Sequence, residues 1–213
     1  ASNYLEQPYN ADLDFGTGDF SISFWLKMGA LANGGIVHRG TTINSDEMVI
    51  WVEADGDIYW RLKTSGDPVF VNAIKANSTV SVCCVRRGST CEIWLDGVLS
   101  ASATNGSNVD FTTPLTIGAW SNNSWYLTTG SLALMRISAT APTATQIKEI
   151  YEAEKPLFQE NAKCTLNGSS DAVQCLAYDD STELLHVGTS GGRSTFQGLR
   201  RVDETATNTT EIS

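Results

Sequence analysis

The sequence predicts an all-β fold, an antiparallel two-sheet sandwich closed by one short helix and followed by a small β-region. Three observations carry this. Apolar residues recur in strand-sized alternating runs, Gly, Asp, Asn and Ser punctuate those runs as turn residues, and only one stretch has helical spacing. Composition agrees: charged residues make up 18% while Ser, Thr, Asn and Gly abound, the balance of an exterior β-protein and not of a helical bundle. At 213 residues the chain is long enough to bury a proper core.

Taken in order, Tyr4-Leu5 and Asp12-Leu13-Asp14-Phe15 lead through Gly16-Thr17-Gly18 into the strand on which the rest is organised, Gly18 to Lys27. There Phe20, Ile22, Phe24 and Leu26 alternate with Ser21, Ser23, Trp25 and Lys27, so one face meets a core. Trp25 puts a large aromatic on the second face, which is therefore covered or used, not bare. A Gly-rich connection from Gly29 to Gly35 delivers a short strand, Ile36 to Arg39. Met48 to Glu53 and Ile58 to Lys63 flank Ala54-Asp55-Gly56-Asp57, a strong hairpin signal. A second hairpin runs from Thr79 to Val85, turns at Arg87-Gly88-Ser89 and returns through Cys91 to Leu95, ending in Asp96-Gly97. Strands Leu115 to Ala119 and Ser131 to Ile137 flank the polar, aromatic loop Trp120 to Tyr126. In the single helix, Thr143 and Gln146 have the form of a capping box. Ile147, Ile150 and Tyr151 give it a narrow apolar side until Pro156 ends it, which suits a short helix lying across one edge or end of the sandwich.

In order, the segments Asp19-Phe-Ser-Ile-Ser-Phe-Trp25, Ile36-Val-His-Arg39, Glu92-Ile-Trp-Leu-Asp-Gly97, Leu115-Thr-Ile-Gly118, Gly130-Ser-Leu-Ala-Leu-Met-Arg-Ile137 and Gln146-Ile-Lys-Glu-Ile-Tyr151 resemble the landmarks of the laminin-G-like, concanavalin A-like lectin jelly rolls. No single segment is specific; the ordered set over residues 1–157 is. That family usually has a Trp-His pair entering the strand at Val82 to Val85, where this chain has Val80-Ser81. The resemblance implies a two-sheet jelly-roll sandwich, recognition of glycans or proteins outside the cell, and often one calcium ion. Fold alone licenses neither ligand.

Residues 158–213 read as a separate small β-hairpin or blade-like region. The stretch Ala172 to Arg193 resembles a single β-propeller repeat, with a strand, an Asp-containing turn, a strand ending in Val187-Gly188-Thr189 and a Gly-Gly turn. A lone blade exposes apolar surface, so it must pack on the sandwich, on copies in other chains or on residues beyond this sequence. Thr205 to Ser213, rich in Thr and Asn, reads as a frayed or strand-swapping tail.

Charge and cysteine content narrow the function classes. With 14 Lys and Arg against 24 Asp and Glu, the formal charge of -10 disfavours nucleic acid, and the pairs Arg86-Arg87 and Arg200-Arg201 are too short to reverse that. Apolar runs are strand-sized, so no segment inserts into a membrane, and the opening Ala1-Ser2-Asn3-Tyr4 lacks the pattern of a signal peptide. Of the five cysteines, Cys83, Cys84 and Cys91 read as buried thiols, with Cys91 opposite Arg86. Cys164 and Cys175 would sit nearly opposite each other across a hairpin through Asn167 to Asp171, where redox compartment decides between thiols and a disulfide. The sequons at Asn77, Asn105, Asn122, Asn167 and Asn208 arise readily in a chain of this composition.

Glu53, Asp55 and Asp57 approach the Glu-x-Asp-x-x-Glu pattern of hydrolases with this type of fold, but Ile58 stands where the third carboxylate belongs and Asp55-Gly56-Asp57 is the hairpin turn. The expectation is no enzyme. Neither histidine, His38 or His186, lies in a zinc or triad spacing; His38 beside Arg39 is a candidate for a ligand surface, against a hydrogen-bonded structural role. Calcium is the open cofactor question, with Asp12, Asp14 and Asp19 around the Gly-rich turn and Asp46 with Glu47 as candidate ligands, against solvated surface acids. Trp120, Asn122, Asn123, Trp125 and Tyr126 offer flat faces and amide partners for sugar rings, or else the two tryptophans fold back over the sandwich edge. Trp51 and Trp60, in strands, read as core in preference to part of a groove. The Tyr4 to Trp25 opening together with the blade-like repeat resembles modules of bacteriophage tail fibres. That implies a non-catalytic virion adhesin, extracellular or on the tail, binding a host-surface glycan or protein as a homotrimer. The alternatives are a structural capping module of the virion or a secreted carbohydrate-active enzyme or its binding module.

Overall fold

The computed structural model describes residues 4–41, 47–63, 69–120, 125–158, 166, 173–198 and 200–206. The chain divides into two compact units, residues 1–151 and 152–213. Among the described residues no helix is long and apolar enough to cross a membrane.

The first unit is the expected sandwich. Its strands are β1 (Leu5–Gln7), β2 (Phe20–Met28), β3 (Gly34–Gly40), β4 (Glu47–Val52), β5 (Asp57–Leu62), β6 (Val69–Asn72), β7 (Thr79–Arg87), β8 (Thr90–Leu95), β9 (Val98–Thr104), β10 (Leu115–Ile117) and β11 (Gly130–Ser138). A six-stranded sheet runs β1-β10-β3-β4-β5-β6 and a five-stranded sheet runs β11-β2-β7-β8-β9. β6 and β9 were not foreseen, because β9 alternates only small Ser and Ala after Val98-Leu99 and β6 is a four-residue piece.

Alternation in β2 buries Phe20, Ile22, Phe24 and Leu26 between the sheets with Met48, Ile50, Ile58 and Trp60 of the other sheet. Phe20 meets Trp60 edge-on, ring centroids 5.8 Å apart, so Trp60 is core as expected. The hairpins fall where Asp-Gly and Gly-Ser placed them, and Arg86 pairs with Cys91.

The second face of β2 is covered by α1 (Ala144–Glu154). Trp25 stacks on Tyr151 at 5.8 Å, and Ile147 packs on Cys83 and Val85 of β7. Ser21, Ser23 and Ser81 line the same face by register, and Ser81 opposite Trp25 leaves room for the indole. The capping box is made: Thr143 N donates to Gln146 Oε1 at 2.8 Å and Gln146 N to Thr143 Oγ1 at 3.3 Å. Ile150 departs from expectation, since the helix buries only Ile147 fully and leaves Ile150 exposed at its rim.

The second unit contains a four-stranded antiparallel sheet of β12 (Val173–Asp179), β13 (Leu184–Thr189), β14 (Gly192–Gln197) and β15 (Arg200–Thr205), two strands more than the repeat pattern named. Cys175 is a free, exposed thiol, while Cys164 lies outside the described residues.

Candidate ligand-binding face

Strands β4 and β5 have two apolar faces, and their second face is the candidate site. Met48, Ile50 and Val52 face the sandwich interior, so the next residues along, Val49 and Trp51, face outward. Trp51 is therefore not part of the sandwich core. Strand pairing puts Trp51 opposite Tyr59 and Tyr59 opposite Phe70, which lines up three rings across β4, β5 and β6. Their centroids are 4.6 Å and 5.1 Å apart, both pairs stacked.

Gly35 extends this row. It pairs with Trp51, and a Cβ there would lie 2.3 Å from the Trp120 amide nitrogen, so only glycine lets the main chain at Trp120 cross this close. The Gly35 amide donates to Trp125 O at 2.7 Å. Trp120 comes to 4.9 Å from Trp51, and Trp125, held at φ 49°, meets Trp120 edge-on at 5.2 Å. Trp125, Trp120, Trp51, Tyr59 and Phe70 thus form one continuous aromatic band. Its ends are open, Trp125 at 42% and Phe70 at 53% exposure, and its middle is tight, Trp51 at 5% and Trp120 at 6%. Tyr126 turns toward Tyr4 at 6.2 Å beside the Trp125 end. Of the loop's two tryptophans, Trp120 folds back over the sheet and Trp125 remains open.

A buried charge cluster anchors the band. Glu47 is 0% exposed. Arg61 Nη2 donates to its Oε1, Trp120 Nε1 donates to Oε2 at 2.9 Å, and His38 Nε2 lies 3.2 Å from Oε2. His38 Nε2 makes no hydrogen bond in this position. Register explains the convergence, because His38, Val49 and Arg61 face one another across β3, β4 and β5. A carboxylate can be this buried only with its charge balanced and its oxygens bonded. The Arg61 guanidinium also lies 5.3 Å from the Trp51 ring centre and 5.6 Å from that of Trp120, the range of cation–π attraction.

Glu53 and Asp57 steady the rings. Trp51 Nε1 donates to Glu53 Oε1 at 3.0 Å and the Tyr59 hydroxyl to Asp57 Oδ2 at 3.1 Å. Burial, with the Asp57 hydrogen bond second, pushes the Tyr59 phenol up to about 12. Asp55 alone serves the turn, its Oδ1 accepting the Asp57 amide at 3.1 Å.

The other sequence candidates lie elsewhere. Arg39 does not face a ligand surface. It is 1% exposed at one end of the sandwich, where its guanidinium binds Asp14 Oδ1 at 2.6 Å, Phe111 O at 2.7 Å and Leu13 O. Arg86, also buried, donates to Gly16 O, Gly18 O and Ser107 O. Arg86 thus occupies the carbonyl oxygens of the Gly-rich turn, and Arg39 the Leu13 carbonyl and the Asp14 carboxylate just before it. Burial raises the Asp14 carboxyl, but hydrogen bonds from Arg39 and Tyr9 outweigh it and hold the group below its usual range. Asp19 accepts the Gly88 amide at 2.7 Å, and Asp12 stands exposed. Among the described residues no three His, Cys, Asp or Glu side chains gather in a way that could hold a metal ion. Asp46, Asn122 and Asn123 lie outside the described residues.

The sequence reading missed Trp51, Tyr59, Arg61 and Phe70. The available signal was the one used for Trp25, an aromatic out of step with its strand's buried face.

Residues 1–148 match the family model Laminin_G_3, described as Concanavalin A-like lectin/glucanases superfamily. No match was found among curated proteins. Among solved structures, the chain is similar to the receptor binding domain of botulinum neurotoxin C/D mosaic serotype, with 13% identity over 91% of this chain and 51% of that one, TM-score 0.60. It is also similar to the binding domain of botulinum neurotoxin DC in complex with SialylT (13% identity, 94% of this chain and 50% of that one, TM-score 0.53). A third is the same binding domain in complex with rat synaptotagmin II (13% identity, 91% and 50%, TM-score 0.54). The chain spans about half the length of these structures, and at this identity the likeness is one of fold.

Proposed function

Because the chain belongs to the concanavalin A-like lectin/glucanases superfamily, we propose that its sandwich is a non-catalytic recognition module that takes a glycan on the aromatic band of the six-stranded sheet. The observation that carries this is the band itself: five rings in contact, buried in the middle and open at Trp125 and Phe70, with a guanidinium over the central rings. Sugar rings have one apolar face that stacks on aromatics and a hydroxyl rim that needs polar partners. Glu53 and Asp57 are bonded to the rings, so their carboxylates act as supports and not as an acid and base pair. The three similar solved structures are binding domains, two of them with SialylT or rat synaptotagmin II bound, which supports recognition over catalysis.

The finer reading is a virion adhesin of the tail-fibre type, extracellular, threefold assembled and directed at a host-surface glycan or protein. It rests on the Tyr4 to Trp25 opening and the blade-like sheet after the sandwich. A structural capping module and a carbohydrate-active enzyme are the competing readings. A glycan array followed by calorimetry on wild type, Trp125→Ala and Phe70→Ala separates them. Each ring is expected to contribute about 0.5–1.5 kcal/mol, so each variant weakens binding roughly 2- to 10-fold. Glycan binding untouched by both variants moves the site off the band, no glycan binding favours the cap, and release of reducing sugar establishes the enzyme.

A further inference from the structure

Among the described residues, the sheet of the second unit has an apolar layer that runs exposed to one edge. Pairing places Leu176 beside Val187, and Tyr178 beside Leu185 and Phe196, on one face; Ala177, His186, Thr195 and Asp203 share the other. On the first face Val187 and Phe196 are buried, whereas Leu176 and Tyr178 on β12 are 64% and 60% exposed. All seven residues of β12 are exposed.

Edge strands are normally protected from pairing by Lys, Pro, inward charge or a cover. β12, Val-Gln-Cys-Leu-Ala-Tyr-Asp, carries one charge, Asp179, at its end, and among the described residues it pairs with β13 alone. The Asp179 carboxylate accepts from Ser181 N, Ser181 Oγ and Thr182 Oγ1, which hold its pKa down at about 2 and keep it anionic at working pH. The opposite edge, β15, begins with Arg200-Arg201 and runs antiparallel to β12. One sheet thus carries an unguarded edge with an acidic end and a second edge with a basic start.

We infer that β12 of one copy pairs antiparallel with β15 of a second copy of this chain, the exposed Asp180 of one facing the exposed Arg200 of the next, so that Leu176 and Tyr178 are covered by the neighbour. A second copy is favoured over a foreign strand because both halves of the charge match lie on the same sheet. Such a head-to-tail contact uses two different edges and closes into a ring when the rotation per copy permits. The inference rests on the reading that copies assemble and gives that assembly its interface; glycan binding by the sandwich does not depend on it.

Sedimentation equilibrium of the full chain at 50 mM and 500 mM salt tests it, with circular dichroism confirming that each variant is folded. Expected are an oligomer weakened by salt, association reduced about 10-fold or more by Arg200→Glu, by Asp180→Arg and by Leu176→Asp, and recovery when Arg200→Glu and Asp180→Arg are combined in one chain. An oligomer of unchanged mass in all three single variants overturns this interface while leaving assembly standing. Single variants that dissociate without recovery in the double overturn the facing of the two edges. A wild-type monomer at every concentration overturns both the interface and the assembly reading.

Discussion

Glu47 is where the structure makes its strongest energetic claim. The side chain is fully buried and balances Arg61, whose side chain is 13% exposed, while accepting the Trp120 indole N–H and lying 3.2 Å from His38. Glu47→Leu keeps the volume and removes the charge, leaving a guanidinium with little access to water. Breaking a buried pair from one side costs about 3–5 kcal/mol. For a domain of this size about 1 kcal/mol moves the melting temperature by 2–4 °C, so Glu47→Leu should melt about 6–20 °C below wild type. Glu47→Gln keeps one acceptor for Arg61 or Trp120 and should fall between the two. Removing the stranded cation as well, in Glu47→Leu with Arg61→Met, should recover part of the loss, because an apolar replacement of a whole buried pair is often neutral. Urea titration at fixed pH, followed by far-UV dichroism and by tryptophan emission, reads both stability and the seating of Trp120 and Trp51. Were Glu47→Leu to unfold within about 1 kcal/mol of wild type with unchanged emission, the carboxylate would not be the anchor of the band.

Three further outcomes are expected. Gly35→Ala sets a methyl 2.3 Å from the Trp120 amide nitrogen, which should cost about 1–3 kcal/mol in urea unfolding and weaken any ligand of the band; a variant as stable as wild type would mean the crossing is looser than described. Tyr59 should titrate near about 12 by absorbance at 295 nm, and Asp57→Asn should bring it down toward the usual 10. With its folded pKa raised, Tyr59 contributes stability that is complete below about 10 and lost as pH rises through about 12; a midpoint near 10 in wild type would contradict the burial of its hydroxyl. Burial pushes Cys83 up to about 12, Cys91 up to about 11 and Cys84 well above the ordinary thiol range. Brief iodoacetamide labelling of the folded protein should therefore mark Cys175 at least about tenfold faster than these three, as judged by peptide mass spectrometry.

Period-two alternation told which side of β2 is core, and the turn residues Asp55-Gly56 and Gly88-Ser89 placed both hairpins. These are local features, decided by sterics within a few residues. Thr143 and Gln146 were enough to start the helix for the same reason. The aromatic band was harder to read. Trp51 and Trp60 look alike in their strands, yet one lies between the sheets and the other on the outer face, because they sit at opposite parity in paired strands. His38, Glu47 and Trp120 are far apart in sequence and meet only through strand pairing. Arg39 and Asp14 suggested a ligand surface and a calcium site; both side chains are instead spent on each other at the sandwich end.

What the chain alone determined was the class of fold, the hairpins and the capped helix, since each is written in spacing and turn chemistry over short range. Only the tertiary structure decided which aromatics form the band, that Glu47 is its buried anchor, that Arg86 fills the Gly-rich turn, and that β12 is an edge of the second sheet among the described residues. Those outcomes depend on register between distant strands, and no local pattern encodes which face of one strand will meet which face of another.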